Sequence, residues 1–247
     1  LMSITGEPGR GPMRAGVAIN DVMAGTLLAL AISMALFQRE RTGLGRYVDT
    51  SLLAAQVFTL DFQAARWLMA GEVAGQMGND HPTLAPMGVF PTADGHVNIA
   101  ASSPAQFERF CDAAGRQEWR KDARWSSGRR RAENRDALNA AIAEETRKKP
   151  SAWWVERLEA AGVPCGPILS IDQVFADAQV RHLGLAQAVE HPRLGATHMV
   201  ASPIRMQGTE SPIRSVAPLA AGDTETVLAE VGYGPEAIAA LRAERAI

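Results

Sequence analysis

Cysteine is scarce in this sequence: Cys111 and Cys165 are the only two among 247 residues. Two thiols make no disulfide framework and suit a reducing cytoplasm. They are too far apart for a C-x-x-C zinc site, and the five histidines (His81, His96, His182, His191 and His198) form neither HxxxH nor HExxH, so no metal centre is expected. No G-x-G-x-x-G and no P-loop occurs, which removes those nucleotide fingerprints. No G-x-S-x-G elbow is present either, and Cys165 lies between Pro164 and Gly166 with no basic neighbour in sequence. That setting suits a turn better than a nucleophile. Charge of one sign is also missing. With 25 basic and 27 acidic side chains the net charge is −2, and nothing advertises a nucleic-acid surface.

The remaining composition, 47% hydrophobic and 21% charged, is that of a soluble globular protein long enough to bury a core. One long uncharged run stands out. In RAGVAINDVMAGTLLALAISMALFQRERTG, residues 14–43, Asp21 is followed by sixteen uncharged residues before QRER closes the run. The apolar part, Val22–Phe37, falls short of the ~20 residues a membrane-spanning helix needs. It has a carboxylate at its mouth and no convincing cleavage site of a signal peptide. The run reads as a buried core helix, with no membrane as partner. The chain opens at Leu1, and LMSITGEPG reads as the interior of a domain, so a longer polypeptide is expected.

Glycine punctuates the rest. A first helix is expected from about Asp21 to Thr42, stopped by Gly43 in the left-handed position that glycine takes without steric cost. A short strand follows near 46–49, then a second helix over roughly 51–70 and a turn-rich loop over 71–88. Asp94-Gly95, between Val89-Phe90 and the alternating Val97 and Ile99, signals a β-hairpin. Ser103-Pro104-Ala105-Gln106 starts a helix with a capping box that Gly115 ends. Helices are expected near 132–148 and 151–161, GVPCGPI as a rigid turn, and Ser170–Gln173 as another capping box. Residues 194–206 read as extended, and helices near 224–231 and 235–246 finish an α/β chain without repeats.

Two charged features invite chemistry. GRRRAENR (128–135) has the charge to contact phosphates, but a solvated helix start is the simpler account. Asp21 suits a helix N-cap, worth ~1 kcal/mol. The same place also favours the ionised form through the helix amides and macrodipole, and an ionised carboxylate is a usable nucleophile. Physical chemistry alone prefers the cap.

TGEPG, RAGVAINDVMAG, RTGLGRYVDTSLL, GNDHPTLAPMGVFPTADGHVNIAA, AAGVPCGPILSIDQVFADAQV and APLAAGDTETVLAEVGY resemble, in this order and over almost the whole chain, the class III coenzyme A transferases. That group includes the formyl-CoA and carnitine-CoA transferases and the related 2-methylacyl-CoA racemases. The resemblance implies the later part of an α/β class III CoA-transferase fold. Residues 1–77 would be the end of a large Rossmann-like domain with nucleophile helix and linker helix, residues 78–180 a small α/β domain, and residues 181–247 a return linker with the C-terminal segment of the large domain. The N-terminal half that supplies most CoA contacts in the family has no counterpart here.

The resemblance places the family's acyl-accepting nucleophile at Asp21. It implies CoA transfer from an acyl-CoA donor to a free carboxylic acid through an aspartyl anhydride and an aspartyl-CoA thioester, in a cytoplasmic homodimer of interlocked rings. No cofactor beyond the CoA thioester substrate is implied. LMSITGE and HPTLAPMGVF most resemble members that use short dicarboxylic acids, often with succinyl-CoA as donor. The family's glycine-rich loop falls on GNDHPTLAP (78–86), which lacks a glycine run. Amides of Gly78, Asn79 and Asp80 facing an acyl oxyanion, with His81 reaching the acyl group, stand there beside a plain packing role. The family's GEHT-like turn appears as Ala221-Gly222-Asp223-Thr224. Two alternatives remain: a 2-methylacyl-CoA racemase, or an inactive chain that folds and dimerises without its CoA-binding half. The glutamate that racemases need aligns with Pro104, beside Ser102 and Ser103, while Glu108 falls in the following helix as a solvated residue.

Overall fold

The computed structural model describes residues 1–247, which form two compact units, Leu1–Ile168 and Leu169–Ile247. In the first, turns over residues 1–18 lead into α1 (Ile19–Thr42), which ends on Gly43 in the left-handed conformation, φ 73°. Then come α2 (Leu52–Phe58) and α3 (Asp61–Ala70). The single helix expected over 51–70 is therefore two. Asp61 takes φ 48°, outside the right-handed helical region, and the Thr59 hydroxyl donates back to the Gln56 carbonyl at 2.8 Å. No strand forms at 46–49, because nothing in the chain pairs with that extended stretch and a strand exists only through its ladder.

The α1 helix corrects a second expectation. None of its residues is buried, so it is not a core helix of this chain. Its apolar side chains point all ways round, with Val22, Met34 and Phe37 each more than 60% exposed. A helix apolar on every side needs cover on every side, whereas here α2 is the element that packs along it. At 24 residues it is also longer than the apolar run alone indicates, and long enough to span a bilayer by length.

The core of this unit lies further on. Strands β1 (Met87–Pro91) and β2 (His96–Ala100) form the expected hairpin, in register from Met87 opposite Ala100 to Pro91 opposite His96. The connection is a four-residue loop closed by the Thr92 N–H on the Gly95 carbonyl at 2.8 Å. Helix α4 (Pro104–Ala114) starts with the predicted capping box of Ser103 and Gln106. After a 3-10 turn at Gln117–Lys121 come α5 (Gly128–Glu133), α6 (Arg135–Thr146) and α7 (Ser151–Ala160). The segment expected as a turn contains β3 (Cys165–Pro167), which pairs antiparallel with β2. Three residues carry little strand signal of their own, and it is the free edge of β2 that makes them a strand.

Alternation along β1 and β2 turns Phe90, Val97 and Ile99 inward, against Phe107, Phe110 and Cys111 of α4, Leu138 and Ile142 of α6, and Trp154 and Leu158 of α7. Each such side chain contributes about 1.5–3 kcal/mol by leaving water. Burial pushes the Cys111 thiol up to about 11, which leaves it an inert apolar filler. Arg131 and Arg135 are also buried, at 2% and 9% exposure, and so depart from the solvated helix start expected of residues 128–135. Arg129 and Arg130 do match it, both exposed and paired with Glu133.

The second unit starts with α8 (Ile171–Ala176), whose capping box joins Ser170 and Gln173, followed by α9 (Ala178–His182). Strands β4 (Ala186–His191) and β5 (Gly195–Val200) form an antiparallel hairpin, of which only the second arm was expected. Helices α10 (Thr224–Glu230) and α11 (Pro235–Ala243) close the chain.

Candidate active site

Asp21 is not the cap of α1. Ala18 holds that position with no side-chain cap bond, and its carbonyl accepts the Val22 N–H at 3.1 Å. Asp21 sits in the first helical turn, where the positive end of the macrodipole favours the carboxylate anion. Its side chain is exposed at a cavity of about 230 Å³ lined by Leu1, Met2, Arg14, Val17, Asn20 and Gln56 among others. Asn20 Nδ2 donates to Gln56 Oε1 at 2.7 Å and ties α1 to α2. Its Oδ1 is left buried and unbonded, a condition that natural structures seldom tolerate without a reason.

The segment 78–81 does not line that cavity. It is anchored through the N-terminal turns instead. The Gly78 N–H donates to the Gly6 carbonyl at 2.9 Å. Gly78 has φ +61°, the left-handed conformation that favours glycine, and a Cβ there would push aside the end of the Glu7 side chain, 2.7 Å away. The side-chain amide of Gln76 donates to the carbonyls of Thr5 and Gly11. The Asp80 N–H is engaged by the Met77 carbonyl and the His81 N–H by the Met87 carbonyl. Of the three amides proposed to face an acyl oxyanion, those of Gly78 and Asp80 thus already have acceptors, and that of Asn79 does not.

Three side chains from the α5–α6 region grip the loop after Asn79. Asn139 Nδ2 donates to Asp80 Oδ1 at 3.0 Å, Arg135 to the Pro82 carbonyl at 3.2 Å, and Arg131 Nε to the Ala85 carbonyl at 2.9 Å. Arg131 also donates to the carbonyls of Trp125 and Ser102 and lies 4.5 Å over the Phe107 ring. Gly88 makes room beneath the loop, since a Cβ there would sit 2.6 Å from Asp80 Oδ1. Sequence reasoning missed these grips. The available signal was the pair 135 and 139, four residues apart and so on one face of α6, whereas Arg131 belongs to α5, on the other side of the break at Asn134.

The loop's electrostatics follow from burial. Desolvation raises the Asp80 carboxyl above its ordinary range, opposed by the Arg135 charge and the Asn139 bond. Desolvation lowers His81, and the Arg135 charge lowers it further. His81 Nδ1 accepts the N–H groups of Thr83 at 3.3 Å and Leu84 at 3.2 Å, and the ring stacks on Phe62 at 5.3 Å. A ring held neutral with Nδ1 as acceptor carries its proton on Nε2. No group of three or more His, Cys, Asp or Glu side chains gathers to hold a metal ion.

The chain matches known proteins over most of its length. The family model described as CoA-transferase family III covers residues 1–224. The chain is 35% identical over 231 residues to a succinate–glutarate CoA-transferase of Agrobacterium fabrum, covering 94% of this chain and 58% of that protein. It is 33% identical to a succinyl-CoA:glutarate CoA-transferase of Mus musculus, covering 94% of this chain and 53% of the relative. A crystal structure of a CAIB/BAIF family protein from Brucella suis superposes with a TM-score of 0.75 at 32% identity, covering 93% of this chain and 60% of that one. The chain therefore spans somewhat more than half the length of the relatives it matches.

Proposed function

This chain belongs to CoA-transferase family III, and on that premise we propose that it carries the nucleophile of an enzyme moving CoA from an acyl-CoA donor to a free carboxylic acid. The observation that carries the assignment is Asp21, an exposed carboxylate in the first turn of α1 at the mouth of a cavity. The Asp21 carboxylate attacks the thioester carbonyl, the C–S bond breaks, and CoA thiolate leaves a mixed anhydride behind. The thiolate then attacks the Asp21 carbonyl, giving an aspartyl-CoA thioester and releasing the donor acid. The acceptor carboxylate attacks that thioester and forms a second anhydride. Returning thiolate takes the acceptor's acyl group and frees Asp21. Every intermediate is activated, so thioester energy is kept while one difficult exchange becomes several easier steps.

The activities for which the relatives are named, succinyl-CoA:glutarate and succinyl-CoA:mesaconate CoA-transferase, support short dicarboxylic acids as substrates and succinyl-CoA as donor. The working form we propose is a cytoplasmic homodimer in which other parts of the enzyme cover α1. Asp21→Asn tests the core of the proposal. The variant is expected to fold normally and lose on the order of 10³-fold or more in turnover, as removal of a nucleophile does. Hydroxylamine added during turnover with succinyl-CoA should convert Asp21 to a hydroxamate detectable by mass. Ordinary turnover in the Asn variant would sink the mechanism.

A further inference from the structure

The cavity at the start of α1 is lined by two charged side chains, Asp21 and Arg14. The segment before the helix places Arg14 there. The Met13 N–H donates to the Met2 carbonyl at 3.2 Å, and the Gly11 carbonyl accepts from the Gln76 side chain at 2.6 Å. The chain then bends at Gly16 and Val17 before α1 begins at Ile19. The Arg14 guanidinium enters none of the chain's ion pairs, so it shares the cavity with Asp21 without closing on it. Leu1, Met2 and Val17 are apolar wall. The other polar side chains there, Asn20 and Gln56, are neutral and bond to each other at 2.7 Å.

We propose that Arg14 selects dicarboxylic acids by pairing with the substrate carboxylate that does not react at Asp21. This rests on the function proposed above and adds to it a determinant of substrate class. The acyl part of a monocarboxylic acyl-CoA carries no charge. A dicarboxylic one keeps a free carboxylate, which enters a cavity that already holds Asp21. Like charges repel more strongly against apolar walls than in open water, and a guanidinium offsets that repulsion with a planar pair of donors matched to a carboxylate. The acceptor acid sets the same requirement more sharply. One of its carboxylates must stay free to attack the aspartyl-CoA thioester, so the cation has to hold the other. Arg14, seven residues before the nucleophile and unpaired with it, meets that condition. The cavity's volume of about 230 Å³, below the ~300 Å³ at which sites for drug-sized ligands begin, suits a short acid.

Competition between two acceptors tests the assignment. Glutarate and butyrate, supplied in equal amounts with succinyl-CoA as donor, compete for one aspartyl-CoA thioester, so the product ratio does not depend on the donor step. In Arg14→Leu the ratio of glutaryl-CoA to butyryl-CoA should fall roughly 10- to 100-fold, the worth of a hydrogen bond to a charged group. Arg14→Lys, a point charge without the planar fork, should give an intermediate ratio. Arg10→Gln, which removes an exposed cation outside the cavity, should leave the wild-type ratio. An unchanged ratio in Arg14→Leu would overturn the assignment. Slower turnover at a constant ratio would overturn it too, since the cation would then serve CoA or the fold. Arg14→Gln serves equally if the leucine variant fails to fold. Calorimetric titration of glutarate separates this inference from the function it rests on. If the wild type transfers no CoA, the proposed function falls. Glutarate binding that Arg14→Leu abolishes would still assign Arg14 to a dicarboxylate, and equal binding or none would overturn that assignment.

Discussion

Asp94 in the β1–β2 loop accepts the backbone N–H of Ser151 at 2.7 Å and its hydroxyl at 3.0 Å, fifty-seven residues downstream. The residue before α7 is Pro150, which offers no side-chain cap, so the hairpin caps that helix from outside. These bonds hold the Asp94 carboxyl below its ordinary value. A depressed folded-state pKa stabilises the fold above the unfolded value, and that contribution is lost as pH falls through the folded one. Asp94→Ala should therefore lower Tm near pH 7, and the gap from wild type should close as the pH is taken down to about 2. A gap that stays constant across thermal melts over that range would show that the charge contributes nothing.

The packed centre of the first unit predicts a graded response to truncation. Leu158 is 0% exposed, whereas Ile171 is 75% exposed. Leu158→Ala should cost about 2–5 kcal/mol by transfer and cavity formation. Ile171→Ala should stay within roughly 0.5 kcal/mol of wild type. Urea unfolding followed by tryptophan fluorescence reads both, and equal losses would contradict this placement of the core.

The bare α1 helix predicts association. With Val22 63%, Met34 64% and Phe37 64% exposed, the chain presents a larger apolar surface than soluble monomers usually carry. Light scattering of this chain alone should show concentration-dependent oligomers, reduced by Met34→Lys combined with Phe37→Glu. A well-behaved monomer at all concentrations would count against it.

The start of α4 bears on the choice between transfer and racemisation. Ser103 is committed to a capping box with Gln106, Pro104 occupies the first turn, and Glu108 is exposed. Proton exchange at an α-carbon needs an acid or base on each face, and neither proline nor an unactivated serine takes up such a proton near neutral pH. The enzyme incubated with (2R)-2-methylacyl-CoA in deuterated water should leave C2 unlabelled. Rapid label uptake without CoA exchange to free acids would decide for a racemase.

Much of the fold was legible from local chemistry. Asp94-Gly95 between alternating apolar residues places the hairpin, Ser103 and Ser170 with glutamines three residues on start their helices, and Gly43 stops α1. These devices act over a few residues, so a short window contains their cause. Of the candidate site, the motif around Asp21 singles out a residue that stands exposed in the first turn of α1, while the cap expected at Asp21 lies three positions earlier, at Ala18. The donors and acceptors that bring order to residues 78–86 come from Gly6, Asn139, Arg135 and Arg131, and no local window joins them.

By itself the sequence determined the family, the hairpin, the helix boundaries that carry caps, and an α1 of apolar residues headed by a carboxylate. Tertiary structure decided which charges are surface and which are interior. Arg129 and Arg131 stand two residues apart in one basic cluster, yet the first is solvated and the second is enclosed by the carbonyls of Ala85, Ser102 and Trp125. Burying a guanidinium is tolerable only where acceptors replace its water, and two of those three acceptors are supplied by chain dozens of residues away. The same holds for β3, which is a strand because β2 has an open edge, and for α1, whose exposure follows from what this chain does and does not pack against it.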